Sequence, residues 1–163
     1  MLTLGRTSDF EFKTRGADML MKSRALQMRR PPKVSTGKAV LVLDDDPSML
    51  KGVERLLNAH GFESKLFDSV ENFCRGAQLH EALCLVLDIN LDGKSGIELS
   101  RELVTSGISL PVIFITGNDS DTTRRAAMEA GCVAYLTKPF PAKSLIGAIE
   151  KVSAERTARN DRT

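Results

Sequence analysis

The chain has 163 residues, 42% of them hydrophobic and 27% charged, with a formal net charge of +2; this is the composition of a globular domain, not of a disordered or fibrous chain. No run of 18 apolar residues exists, so a transmembrane helix is not expected, and the first ten residues lack the apolar core of a secretory signal. Three cysteines (Cys74, Cys84, Cys132) without a CxxC pair, and two histidines (His60, His80) without partners at metal spacing, point to reduced thiols in a cytoplasmic protein and away from a zinc or disulfide scaffold.

Charge divides the chain. Residues 1–38 carry nine Lys/Arg against three Asp/Glu, a net +6, and residues 39–163 carry fourteen against eighteen, a net −4. Residues 1–37 therefore read as a basic N-terminal extension. Within it Ala17, Leu20, Met21, Ala25 and Met28 are spaced for a short amphipathic helix, which Pro31-Pro32 would stop. A nucleic-acid contact by this arm stays open as an auxiliary role, but it holds no recognition motif.

From Lys38 onward strand and helix patterns alternate. Ala39–Leu43 is an apolar strand. Asp46-Pro47 is a helix N-cap with proline at the first helical position, and Met49, Leu50, Val53, Leu56 and Leu57 form that helix's apolar face, up to Gly61. Phe62–Phe67 is a more polar strand, suited to a sheet edge. Ser69 caps a helix carrying Val70, Phe73 and Cys74. Leu83–Leu87 is a run too short for a buried helix and reads as a strand buried on both faces, ending on Asp88. Ser95 opens a helix with Ile97, Leu99, Leu103 and Val104 inward. Pro111–Thr116 is the fourth strand, Asp121–Ala130 a polar helix, and Val133–Leu136 the fifth strand. Leu145, Ile146, Ile149 and Val152 lie on a last helix, and Glu155–Thr163 reads as a frayed polar tail.

Five strand–helix alternations predict an α/β fold: a doubly wound, five-stranded parallel sheet with helices on both faces. No Asp-Gly or Asn-Gly is expected to join two strands, since Asp92-Gly93 precedes a helix. In such a sheet the carboxyl ends of all strands share one rim, where ligands bind. That rim receives Asp44, Asp45 and Asp46 from the first strand, Asp88 from the third, Thr116 from the fourth and Lys138 from the fifth. Two carboxylates about 4 Å apart repel by roughly 4 kcal/mol at an effective dielectric of 20, which a hard cation such as Mg²⁺ would offset. A lysine and a hydroxyl facing that metal would bind an anion, the arrangement that phosphoryl transfer to a carboxylate requires. A structural Asp–Lys ion pair accounts for Lys138 and one acid, and a loop cap for Asp88 alone, but neither accounts for the whole set.

The motifs Leu-Val-Leu-Asp-Asp-Asp (41–46), Leu-Asp-Ile-Asn-Leu (87–91) with Gly96, Ile-Phe-Ile-Thr-Gly (113–117) and Ala-Tyr-Leu-Thr-Lys-Pro-Phe (134–140) resemble, in order and spacing over residues 38–155, the CheY-like receiver domain of bacterial two-component response regulators. The resemblance implies a flavodoxin-like strand order, 2-1-3-4-5. It implies that Asp88 accepts a phosphoryl group from a histidine kinase or histidine phosphotransfer protein. Asp45, Asp88 and the backbone carbonyl of Asn90 would hold Mg²⁺, with Asp44 acting directly or through water. Thr116 would bond a phosphoryl oxygen, Lys138 would pair with Asp88 and then with the phosphoryl group, Tyr135 would change its burial as Thr116 moves, and Lys138-Pro139 would be cis. Such a protein is not an enzyme beyond its own phosphorylation and dephosphorylation. With residues 156–163 as a tail, a free-standing receiver is expected, which would signal to a protein target through helix 121–130, strand 133–136 and the last helix. One departure is Asp92, where many family members have proline; it adds a negative charge and removes a restraint on the turn. Asp44-x-Asp46-x-Ser48 also resembles the nucleophile motif of haloacid-dehalogenase-like phosphatases, with Asp44 as nucleophile. That alternative needs further acids at a late strand end, and no acid stands at one after Lys138.

Overall fold

The computed structural model describes residues 38–163, and the basic segment 1–37, with its expected amphipathic helix, lies outside them. Twelve elements follow Lys38. They are β1 (Ala39–Leu43), α1 (Pro47–Ala59), β2 (Ser64–Phe67), α2 (Val70–Gly76), β3 (Ala82–Asp88), β4 (Asn90–Leu91), β5 (Lys94–Ser95), α3 (Gly96–Thr105), β6 (Val112–Thr116), α4 (Asp121–Glu129), β7 (Ala134–Thr137) and α5 (Ala142–Asn160).

The main sheet has five parallel strands in the order β2-β1-β3-β6-β7. Counted among themselves these strands run 2-1-3-4-5, the order that the resemblance implied. Every residue of β1, β3 and β6 is buried, while the edge strands β2 and β7 are half-buried. This matches their composition: strands covered on both faces carry continuous apolar runs, and edge strands tolerate polar residues.

Two apolar layers result. On one face Val40, Val42, Val86, Ile113 and Ile115 pack against Leu50, Val53 and Leu57 of α1 and Leu145, Ile149 and Val152 of α5. On the other, Leu41, Leu43, Leu85, Leu87 and Phe114 pack against Phe73 of α2, Ile97, Leu99 and Leu103 of α3 and Ala127 of α4. Burying one such large side chain contributes roughly 1.5–3 kcal/mol, so α1, α3 and α5 are firmly held. Helix α4 buries Ala127 alone and gains far less. The three cysteines are free, and burial pushes the Cys84 thiol up to about 12, consistent with inert core thiols.

Three helix starts follow the expected caps, Asp46, Ser69 and Ser95, and Ser120 caps a fourth. The side chains of Asp46, Ser69, Ser95 and Ser120 accept from the backbone N–H of Ser48, Asn72, Ile97 and Thr123 at 2.9, 3.1, 3.2 and 3.1 Å.

Three expectations are corrected. Asp92-Gly93 does join two strands: β4 and β5 form a two-residue antiparallel hairpin ahead of α3, with Gly93 at φ +76° in the left-handed region that glycine enters freely. Strands of two residues have no alternation to read. Val104 is 64% exposed, because it stands one residue, about 100° of helix, beyond the buried Leu103. Residues Glu155–Asn160 continue α5 instead of fraying, and the Arg156 guanidinium donates to the carbonyl oxygen of Ala82 at 2.7 Å, bolting the helix to the start of β3.

Gly96 lies where the hairpin closes behind Asp88. A Cβ there would overlap the carbonyl oxygen of Asp88 and stand 3.0 Å from its carbonyl carbon and 3.1 Å from the Cα of Ile89, all backbone atoms that cannot yield. Gly96→Ala should therefore lower unfolding stability in urea by about 1–3 kcal/mol. Gly52→Ala, at a position in α1 with nothing within 4 Å of the added carbon, should raise it by about 0.4–1 kcal/mol.

Candidate functional site: an acidic rim bridged by a lysine

The rim is assembled by backbone bonds at the carboxyl ends of the strands. Ile89 N–H donates to the Ile115 carbonyl at 2.9 Å and Lys138 N–H to the Thr116 carbonyl at 2.8 Å, setting the ends of β3, β6 and β7 side by side. Asp44 N–H donates to the Phe67 carbonyl at 3.1 Å, fixing the end of β1 beside β2. Asp44, Asp88, Thr116 and Lys138, each from the end of a different strand, meet there.

Lys138 is the centre of the group. Its Nζ donates to Asp44 Oδ2 at 2.8 Å and to Asp88 Oδ2 at 3.2 Å. Asp44 is fully buried, and its Oδ1 accepts from Asp46 N–H at 2.9 Å. Asp88 is 4% exposed, and its Oδ1 accepts from Asn90 N–H at 3.0 Å. Asp45 is exposed at the mouth. Carboxylate oxygens of Asp44, Asp45 and Asp88 lie within 4.8 Å of one another, a group able to hold a metal ion through oxygen ligands alone. Asp46 is not one of this set and caps α1. The Lys138-Pro139 peptide bond is cis.

Burial pushes the Asp88 carboxyl above the usual carboxylate range, and the neighbouring charge of Asp44 adds to it, while the Asn90 N–H and Lys138 pull the other way. Burial also opposes the charge on Lys138, but its bonds to Asp44 and Asp88 outweigh this and hold the ammonium above its ordinary value.

Thr116 is fully buried, and its hydroxyl is completely engaged. It accepts from Asn90 Nδ2 at 3.0 Å and from Asn118 N–H at 3.0 Å, and donates to the Asn118 carbonyl at 3.3 Å. Tyr135 is half-buried, and its hydroxyl donates to Asp119 Oδ1 at 2.9 Å. Asp119 Oδ2 accepts from Arg124 of α4 at 2.6 Å, and the Arg124 guanidinium lies over the Tyr135 ring, 5.2 Å from its centroid. Sequence reasoning singled out only the backbone carbonyl of Asn90, and it missed Asn118, Asp119 and Arg124. Asn118 and Asp119 lie in a loop without periodic signal, Arg124 is on the polar helix, and the bond from Tyr135 to Asp119 forms only when β6 and β7 pair.

The fold and the rim together define a class. The response regulator receiver domain family matches residues 40–150, and the chain belongs to this family. It is 34% identical over 134 residues to Nodulation protein W of Bradyrhizobium diazoefficiens, covering 77% of this chain and 59% of that protein. It matches the structure of response regulator StyR at 38% identity and a TM-score of 0.66, covering 76% of this chain and 65% of that one. It matches the BeF3-activated DrrB receiver domain at 28% identity and a TM-score of 0.64, covering 72% of this chain and 98% of that one. The chain spans about half to three-fifths of the length of the curated relatives it matches. No described helix is long and apolar enough to cross a membrane.

The raised Asp88 value has a consequence for stability. The folded state holds that proton more tightly than the unfolded chain does, so stability falls as pH rises from the ordinary carboxylate value, about 3.9, through the folded one. Above the folded value the whole penalty is present. Asp88→Asn, measured in chelator at pH 7, should therefore melt at a higher temperature than the wild type. A lower melting temperature would mean that the bond to Lys138 outweighs burial and repulsion.

Proposed function

We propose that this receiver accepts a phosphoryl group on Asp88 from the phosphohistidine of a histidine kinase or histidine phosphotransfer protein. The observation that carries the reading is one ammonium bridging two buried acids, with a third acid at the mouth: Lys138 between Asp44 and Asp88, beside Asp45. In the transfer, the bond from phosphorus to the donor's imidazole nitrogen breaks and a bond from phosphorus to an Asp88 oxygen forms; the imidazole leaves with the electron pair and takes up a proton. Asp45, Asp88 and the Asn90 carbonyl would hold Mg²⁺, with Asp44 contributing directly or through water. That ion, when bound, supplies the positive charge that lets an anionic phosphoryl group approach an anionic carboxylate.

The remaining work falls to protein groups. Lys138 neutralises the acids before transfer and turns to the phosphoryl oxygens after it. The Thr116 hydroxyl, at the next strand end, donates to a phosphoryl oxygen. The Asn90 N–H keeps the carboxylate of Asp88 oriented. Positioning and charge neutralisation are most of what this chemistry asks of a protein.

The phosphoryl group adds roughly −1.5 to −2 charges and three strong acceptors. Thr116 and Lys138 answer it, and the movement passes to Tyr135 and α4, which buries only Ala127 and is the most weakly held helix of the fold. The face formed by α4, β7 and α5 is the proposed partner surface. Shifting it from 1:99 to 99:1 requires phosphorylation to favour the active state by about 5.5 kcal/mol.

A chemical experiment tests the phosphoacceptor. With acetyl phosphate and Mg²⁺, followed by borohydride reduction and mass spectrometry, the label should sit on Asp88. Label on Asp44 or Asp46 would favour the phosphatase reading instead. Asp45→Ala should cut labelling by about tenfold or more while the domain stays folded, the scale on which supporting groups of a metal site act. For the output, Thr116→Ala should still accept the label but lose the change in amide exchange over residues 117–140 that beryllofluoride, a phosphoryl mimic, induces in the wild type. Exchange changes confined to the loops at 44–46 and 88–95 in the wild type would refute this route.

A further inference from the structure

The bonds around Thr116 and Tyr135 meet in one short loop between β6 and α4. A hydroxyl has one proton to donate and two lone pairs to accept with, and all three positions of Thr116 are taken, two of them by the backbone of Asn118. The next residue, Asp119, has both carboxylate oxygens engaged: one by the Tyr135 hydroxyl, the other by Arg124. Ser120, one residue further, caps α4. Asn118, Asp119 and Ser120 thus tie down, in turn, the buried threonine, the tyrosine and the helix.

We infer that Asp119 is a positioning residue that holds Tyr135 and Arg124 in the resting arrangement of the switch. The inference rests on the phosphoacceptor reading above. For Thr116 to donate to a phosphoryl oxygen it must give up the Asn118 carbonyl, because it has no second proton. The loop thereby loses one of its two bonds to Thr116 and can turn about the other, the Asn118 N–H bond, and Asp119, the next residue, shifts with it. The phenol then loses its acceptor, and the Arg124 guanidinium over the ring loses its counter-ion. Arg124 belongs to α4, so the same event loosens the helix of the proposed partner face. The Arg124 and Tyr135 bonds hold the Asp119 carboxyl below its ordinary range, and the Tyr135 phenol is pushed up to about 12 by burial and by that carboxylate; both directions fit a phenol donating to an ionised acid.

The chain holds one tyrosine and no tryptophan, so its ultraviolet emission reports Tyr135 alone. A carboxylate bonded to a phenol quenches it by accepting the proton in the excited state. In the full chain without metal, Asp119→Ala should raise the emission to the level that the wild type reaches only with Mg²⁺ and beryllofluoride. It should also bind beryllofluoride more tightly in calorimetry, by roughly threefold to tenfold, the equilibrium counterpart of one modest hydrogen bond that no longer has to break. Tyr135→Phe should give a similar tightening, and the double variant no more than either alone, since both remove the same bond. Arg124→Ala, which leaves the phenol–carboxylate bond in place, should raise the emission less than Asp119→Ala does. Unchanged resting emission in Asp119→Ala, or beryllofluoride binding that is unchanged or weaker, would overturn the inference. If the wild type shows no beryllofluoride binding that Asp88→Asn abolishes, it is the phosphoacceptor reading that fails; the resting emission of Asp119→Ala still decides whether Asp119 holds the tyrosine.

Discussion

Everything at the rim depends on how one ammonium is shared between two buried carboxylates. Asp44 and Asp88 approach each other because β1 and β3 are neighbours in a parallel sheet and both end on an acid. Repulsion between such groups is of the order of several kcal/mol at protein dielectrics. Lys138, from the other side of β6, reaches 2.8 and 3.2 Å from the two, and offsets most of that repulsion. Burial still holds the Asp88 carboxyl above its ordinary range, and the charge of Asp44 adds to it.

Stability is distributed to suit such a site. The three central strands are wholly buried, and α1, α3 and α5 each insert three or more apolar residues into the two layers. The acids therefore sit on the stiffest part of the molecule, where carboxylates cannot relax apart. Helices α2 and α4 bury one residue each, a large Phe73 in α2 but only Ala127 in α4. Much of what orients the first turn of α4 is polar: the Ser120 cap and the Arg124–Asp119 pair. Polar contacts at the surface exchange with water at little net cost, so this helix can be repositioned without disturbing the core.

Glycine and hairpin geometry bring these two regions together. Gly96 lets the hairpin of β4 and β5 close directly onto the backbone of Asp88, with its N–H bonded to the Ile89 carbonyl at 2.8 Å. Asn90, at the start of that hairpin, touches Asp88 through its backbone and Thr116 through its side chain. One residue thus links the acid to the hydroxyl of the adjacent strand. Asp92, at the hairpin tip, supplies with Gly93 the turn that a proline would otherwise restrain.

Much of this was legible in the chain alone. Apolar runs of four or five residues alternating with amphipathic stretches specify a parallel sheet, because a strand covered on both faces must be apolar throughout. Acids, a threonine and a lysine at the ends of those runs specify that one rim is polar. These are local signals, set by the period of each run and by the residues at its carboxyl end. The edge character of β2 and the Asp46 cap were readable for the same reason. What tertiary structure alone decided is pairing between distant segments: Lys138 bridging two acids where an ion pair with one would satisfy it, Asn90 bonded to Thr116, and Asp119 bonded to Tyr135. The continuation of α5 through Asn160 belongs here too, since Arg156 finds its partner in Ala82 only after β3 is in place. A hydrogen bond between side chains far apart in sequence leaves no pattern along the chain. Its geometry exists only once the strands that carry both partners lie side by side.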